Sequence, residues 1–397
     1  VRAKPRTRYP ITLFWIGALA LLVALLLVAP PLVVAPALAQ QPGVPGAAEI
    51  SPDGYTSARV CGRCHADIYK SWRNSLHAIS LTDPIFDVAF MQAVREGGDD
   101  AKRLCLRCHA PMTTVNQDYD LNEGVTREGV SCDFCHTVTA VHLDRPDKPF
   151  STEPGLTKRS ILRKASSPAH EVAYSELHGT SELCGGCHNY VTESGMAIMS
   201  TYDEWRHGPY AEEGIQCQDC HMVRSAGRVV RPEVQDSEKT IHLHNLIHDT
   251  EQLQSALEVR ILRAERSPRG LEVEVEIKNA GSGHKIPTGM ATREIVLTVE
   301  VGDGRRTTKQ ERHYRKVVAD AKGRPLNEDY EVLLLGAKVL SDNRIGPREA
   351  RRERFVFDTQ RDGQVTVSAT ASYVYSPMAL HRQHLTVQLG QAKRAVH

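Results

Sequence analysis

Two patterns of apolar and polar positions divide the chain. From about Leu257 onward, apolar residues alternate with charged ones in short runs: Leu257-Glu-Val-Arg-Ile-Leu, Leu271-Glu-Val-Glu-Val-Glu-Ile277, Ile295-Val-Leu-Thr-Val-Glu-Val301, Arg354-Phe-Val-Phe357, Val365-Thr-Val-Ser, Ser372-Tyr-Val-Tyr375 and Leu385-Thr-Val-Gln-Leu389. A period of two turns one face of each run to a core and the other to water. Six or seven such runs predict an antiparallel β-sandwich over residues 255–397. Between about Tyr55 and His248 the periodicity is only local. Apolar Ile85, Val88, Ala89 and Val94 predict a helix over Pro84–Arg95, a second helix is expected over Ala169–Leu183, and the Pro-, Lys- and Asp-rich stretch from Leu143 to Ser160 predicts a surface loop. The fold class expected is α+β, with a mainly helical, loop-rich part at 55–254 followed by the sandwich.

The N-terminus has a third character. Basic Arg2, Lys4, Arg6 and Arg8 precede an apolar run from Ile11 to Val28, and Ala37-Leu38-Ala39 comes before Gln40. This predicts a secretory signal over 1–39 with an A-x-A cleavage site, the same run being long enough for an uncleaved membrane anchor. Residues 40–54 would then be a linker. The chain is expected to be exported, to the periplasm, the outer face of a membrane or the extracellular space.

Composition changes the picture through cysteine. All ten cysteines fall in five copies of one motif: Cys61-Gly-Arg-Cys64-His65, Cys105-Leu-Arg-Cys108-His109, Cys132-Asp-Phe-Cys135-His136, Cys184-Gly-Gly-Cys187-His188 and Cys217-Gln-Asp-Cys220-His221. One turn of backbone brings two thiols to the two vinyl groups of a haem and turns the next residue, a histidine, onto the iron. Zinc sites use Cys-x-x-Cys in pairs without requiring a histidine after every second cysteine, and thioredoxin-like sites use it singly. Five covalently bound c-type haems are therefore expected, with His65, His109, His136, His188 and His221 as proximal iron ligands. No cysteine is left for a disulfide framework, and aromatic residues make up only 6% of the chain, so haem faces are expected to supply much of the N-terminal core. The formal charge of +1 would become more acidic once haem propionates are counted. No basic run or aromatic platform suggests nucleic acid.

Thirteen of the eighteen histidines remain as possible second axial ligands. Several segments that carry them resemble a known group: Trp72-Arg-Asn-Ser75-Leu-His77, Ser167-Pro-Ala-His170 with Ser175-Glu-Leu-His178, Tyr202-Asp-Glu-Trp205 leading to the fifth motif, and Gly283-His284-Lys-Ile-Pro287-Thr-Gly289. Over about Tyr55 to Gly289 the chain resembles the multihaem c-type cytochromes related to the tetrahaem electron acceptor of hydroxylamine oxidoreductase, including members with a β-rich C-terminal extension. The resemblance implies that His77, in its W-x-x-S-x-H context, is a distal ligand. Setting Trp205 against Trp72 puts Tyr210 at the corresponding position, which makes His207 incidental. In Ile241-His242-Leu-His244-Asn-Leu-Ile-His248 the family pattern favours His244, with His242 and His248 open. His170 and His178 would sit on successive turns of the expected helix and face one haem layer. A glycine-rich turn would deliver His284 to an iron and clamp the β part onto the haem part. Five distal candidates, His77, His170, His178, His244 and His284, then meet five proximal histidines.

Filling both axial positions leaves no substrate site, so the first expectation is electron transfer between other redox proteins or from a membrane quinol-oxidising complex. Two alternatives stand beside it. One haem with an open position would make the chain an enzyme acting on a small nitrogen or sulfur compound, and self-assembly or membership of a redox complex would make it a subunit.

Overall fold

The computed structural model describes residues 46–192, 194–246, 250–359, 363–381 and 383–397. The expected signal or anchor at 1–39, the first part of the 40–54 linker and His248 lie outside the described residues.

The fold is α+β. Helices are concentrated before Leu257, and from there the chain forms two antiparallel sheets around one core. The first sheet has the order Ala350–Phe357, Gly270–Asn279, Leu257–Ser267. The second runs Lys338–Asp342, Thr307–Ala319, Arg293–Gly302, Val365–Tyr375, Leu385–Val396. Strand Gly270–Asn279 shows why the alternation is so clean. Leu271, Val273, Val275 and Ile277 are fully buried among Ile295, Leu297, Val299 and Phe355, while Glu272, Glu274 and Glu276 on the same strand reach outward. Each such aliphatic side chain contributes about 1.5–3 kcal/mol by leaving water.

The alternating runs all fall within strands, but two of them, Val365–Ser368 and Ser372–Tyr375, are parts of a single strand. Thr307–Ala319 is a strand that period two does not reveal, because Lys316 occupies an inward position on it and is buried. Its Nζ donates to the Ala197 carbonyl at 2.6 Å, and that buried cation replaces the apolar residue that would have marked the pattern.

The N-terminal part departs further from expectation. The helix starting at Pro84, capped by the Asp83 carboxylate on Ile85 N at 3.0 Å, does not end near Arg95. It passes a break at Gly98 (φ 61°) and continues to His109, so the second motif forms its last turn. Ala169–Leu183 is not one helix. Glu171–Tyr174 pairs in parallel with Thr157–Ser160, a single 3-10 turn follows at Glu176–Gly179, and a helix begins only at Glu182. Leu143–Ser160 is likewise not only a loop: Phe150–Thr152 pairs with Val138–Val141, and the Phe150 ring packs edge-on against Phe134 at 5.2 Å.

The β part packs on the helices through mixed clusters. Ile198 meets Val318, Leu326 and Val332 in one, and Ala93, Ala101 and Cys105 meet Tyr330, Leu333 and Leu334 in another.

Candidate haem-binding site

Every motif lies on a helical turn: within Ala58–Cys64 and its C-cap His65, at the end of Pro84–His109, and in Cys132–Thr137, Glu182–His188 and Cys217–His221. Positions i, i+3 and i+4 share one face of such a turn, so both thiols and the imidazole project together. The residues between the cysteines serve packing. A side chain at Gly185 would collide with the Tyr202 ring and one at Gly186 with Phe150, so the fourth motif has glycine where aromatic rings lie against its helix. In the third motif Asp133, only 1% exposed, accepts from Thr56 N at 2.6 Å and pairs with Lys158 at 2.5 Å.

Motifs distant in sequence come together. The thiols of Cys61 and Cys132 share a hydrogen bond, as do those of Cys108 and Cys187, and those of Cys184 and Cys217. Donation from Cys187 lowers the Cys108 thiol to about 7, and donation from Cys184 lowers Cys217 to about 7. Burial raises Cys105 to about 12. The first motif is thus beside the third, the second beside the fourth and the fourth beside the fifth. Cys135 of the third motif also lies within electrostatic reach of Cys184 and Cys187.

The imidazoles are oriented by one recurring device. Nδ1 of His65 donates to Val229 O at 2.6 Å, that of His109 to Ser80 O at 3.0 Å and that of His136 to Arg159 O at 2.6 Å. The distal candidates do the same: His170 to Glu171 O at 2.9 Å, His244 to His242 O at 2.8 Å and His284 to Lys285 O at 3.0 Å. Fixing the proton on Nδ1 leaves the Nε2 lone pair as an acceptor, the tautomer a metal ligand requires; in His284 the Ser282 hydroxyl lies 3.4 Å from it. Burial lowers the pKa of His65, His109, His170 and His284, and more strongly that of His77, to about 3, and of His244, to about 4. His178 differs. Its Nε2 meets Cys135 O at 2.9 Å and its Nδ1 meets Ser175 Oγ at 2.9 Å, so both nitrogens are engaged.

Four proximal–distal ring pairs have nearly the same spacing between centroids. His65 and His170 are 6.2 Å apart, His77 and His188 6.1 Å, His136 and His244 6.3 Å, and His221 and His284 6.4 Å. The one-to-one count expected from the sequence is not what the rings form. His178 also lies against His136, at 5.7 Å, so two candidates share one proximal ring. His109 has no histidine ring against it among the described residues; the Phe86 ring packs on its face, stacked at 3.8 Å and 15°, too close for an iron to lie between the two rings. Sequence reasoning missed Phe86, whose only signal is its position in the first turn of the helix that ends in the second motif. His242 donates to Met222 O at 2.8 Å, and His207 is exposed and bonded to Asp203 O at 2.8 Å. Tyr210 reaches Ala280 O at 3.4 Å, at the start of the His284 loop.

Residues 60–137 match the family model described as cytochrome c554 and c-prime. A solved penta-heme cytochrome c552 from Thermochromatium tepidum is 20% identical and superimposes with a TM-score of 0.69, covering 87% of this chain and 100% of its own. The first is a likeness to a c-type cytochrome family over part of the chain. The second is a likeness of fold. A structural-genomics target solved by X-ray diffraction, 11% identical over 35% of this chain and 83% of its own, has a TM-score of only 0.16 and does not bear on the fold. No curated protein matches the chain.

For such a cytochrome the donor chemistry fits. Paired thiols on a helical turn followed by an imidazole, held in His65, His109 and His136 by Nδ1 donation to a backbone carbonyl, are what covalent haem attachment and axial ligation require. The thiols of Cys61, Cys64, Cys105, Cys108, Cys132, Cys135, Cys184, Cys187, Cys217 and Cys220 would hold the porphyrins. Imidazoles of His65, His109, His136, His188 and His221 would face the irons. When bound, haem supplies reversible one-electron redox chemistry.

Proposed function

We propose that the chain is an exported pentahaem electron-transfer cytochrome, with its five haems carried by residues 55–254 and a haem-free β part at 255–397. The observation that carries this reading is the set of four imidazole pairs at 6.1–6.4 Å. With metal–nitrogen distances of about 2 Å and ~1.1 Å from nitrogen to ring centre, two imidazoles sharing one iron stand about 6 Å apart. His170, His244, His77 and His284 are therefore proposed as the distal ligands opposite His65, His136, His188 and His221. A second histidine on the iron closes it to substrate and keeps ligand rearrangement small between redox states. The neighbouring motifs support passage of electrons from one site to the next, between other redox proteins or from a membrane quinol-oxidising complex. Pyridine haemochrome analysis should give five haems per chain, and electron paramagnetic resonance of the ferric protein should show at least four as low-spin. Fewer than four low-spin haems would refute the assignment. Cell fractionation checks export: recovery of the haem-loaded protein in the cytoplasm would refute it.

A second reading is favoured by His109, which has no second histidine ring against it among the described residues. The lack of such a partner supports one haem with an open axial position, and so an enzyme acting on a small nitrogen or sulfur compound. The ferric protein would then bind one cyanide per chain. Five low-spin haems with no cyanide uptake would leave only the carrier.

A further inference from the structure

Beside the first motif lies an open groove of roughly 680 Å³, bordered by Arg59, Arg63, Lys70, Arg73 and Arg231 against the single carboxylate of Glu233. Five cations around one groove are a local concentration, since the whole chain carries a formal charge of only +1. Arg63 is paired with Glu49, but among the described residues no ion pair engages Arg59, Lys70, Arg73 or Arg231, and all four side chains are exposed. None of Cys61, Cys64, His65 or His170 borders the groove, so it is separate from the face that would hold the first haem.

Its construction follows from helix spacing. Gly62, Ala66, Tyr69, Lys70 and Arg73 lie at intervals of three and four residues and border the groove along the helices Ala58–Cys64 and Ala66–Trp72 and the C-cap Arg73, while Cys61, Cys64 and His65 do not border it. The wall bearing Arg231 is tied to the motif itself. Arg231 N donates to Cys64 O at 2.9 Å, and Val229 O accepts from His65 Nδ1 at 2.6 Å. A body seated in the groove is thus about one helix diameter, ~10 Å, from the thiols and imidazole of the first site.

We propose that this groove docks the acidic face of a redox protein partner and makes the first motif the point where electrons enter or leave the chain. The inference rests on the electron-transfer reading above. The cations come from two successive helices and from the segment at Arg231. Each exposed ion pair is weak, so several acting together govern the rate of encounter more than its tightness, with strong dependence on salt.

The test uses the haem-loaded full chain and a flavodoxin, an acidic one-electron carrier, as probe. Stopped-flow measures electron transfer from flavodoxin hydroquinone across a range of ionic strengths. Reversal of the groove charge by Arg59→Glu, Lys70→Glu and Arg73→Glu together should slow transfer at least about tenfold at low salt and abolish its salt dependence. The same charge change elsewhere, by Arg260→Glu, Arg263→Glu and Arg354→Glu, should slow it less than about twofold. Equal effects of the two triple variants would overturn the inference. Loss of binding to phosphatidylglycerol vesicles in the groove variant, with an unchanged flavodoxin rate, would overturn it in favour of a membrane surface. Competition by inorganic phosphate at constant ionic strength would overturn it in favour of a small-anion site. Full reduction of the haems by dithionite in every variant keeps this outcome apart from failure of the electron-transfer reading, which would appear as haems that dithionite cannot reduce.

Discussion

Glu204 and Arg344 form an ion pair at 2.7 Å with side chains only 6% and 5% exposed, joining the helix Thr201–Arg206 to the β part. The same carboxylate accepts Lys285 N at 3.3 Å and Thr288 Oγ1 at 2.8 Å, both in the loop that carries His284. Arg344 reaches the loop from the other side through Pro287 O at 3.2 Å. Removing one partner leaves the other charge buried and unpaired, which costs about 3–5 kcal/mol. Arg344→Ala is therefore expected to lower stability by that amount in denaturant unfolding. Glu204→Gln, which keeps one accepting oxygen but not the charge, should lose less and should shift the spectrum or potential of one haem only. A loss of stability with no change at any haem would show that the pair does not position His284.

His178 and His244 both lie against His136, but only His244 has its Nε2 free. His244→Ala should convert one ferric haem from low-spin to high-spin in electron paramagnetic resonance. His178→Ala should leave the low-spin count unchanged, and the opposite result would exchange their roles.

Lys158 pairs with Asp133 inside the third motif, and its neighbour Arg159 supplies the carbonyl that orients His136. With Asp133 almost wholly buried, Lys158→Met should destabilise the protein by about 3–5 kcal/mol, and the double variant Lys158→Met, Asp133→Leu should recover much of that loss. Thermal or denaturant unfolding checks both. Equal stability of the single and double variants would argue that the pair contributes nothing as a pair.

Asp342 predicts a dependence on acid. Burial alone would raise its pKa, but hydrogen bonds and charge from Arg344, at 2.8 Å, and from Lys285, at 3.0 Å, outweigh burial and hold it well below the usual carboxylate range. A carboxyl depressed on folding stabilises the protein above its unfolded value near 4 and loses that contribution as pH falls toward the folded value. The melting temperatures of wild type and Asp342→Asn should differ most at pH 5 and above, and converge as pH drops below about 4. A gap that stays constant to pH 2.5 would refute the assignment.

The β part was legible because each strand has one wet and one dry face, which the Leu271–Ile277 alternation records directly. It was least legible at Thr307–Ala319, where the inward Lys316 is satisfied by a carbonyl from another part of the chain that no local pattern contains. The five motifs were equally plain, since their chemistry is local. The distal histidines were not, because an imidazole meets its partner across the fold. His170 and His178 look equivalent along the chain, yet one ends beside His65 and the other is bonded to Cys135 O. Phe86 could not be found by searching for ligands, as its contribution is to pack on the face of His109.

Cys61 lies beside Cys132, Cys108 beside Cys187 and Cys184 beside Cys217, and Cys135 is within electrostatic reach of Cys184 and Cys187. The five motifs therefore form one connected network with a branch point: the first reaches the fourth through the third, and the second and fifth each adjoin the fourth directly. A substitution at the fourth motif would disturb three neighbours at once, whereas one at the first or the fifth would disturb a single neighbour.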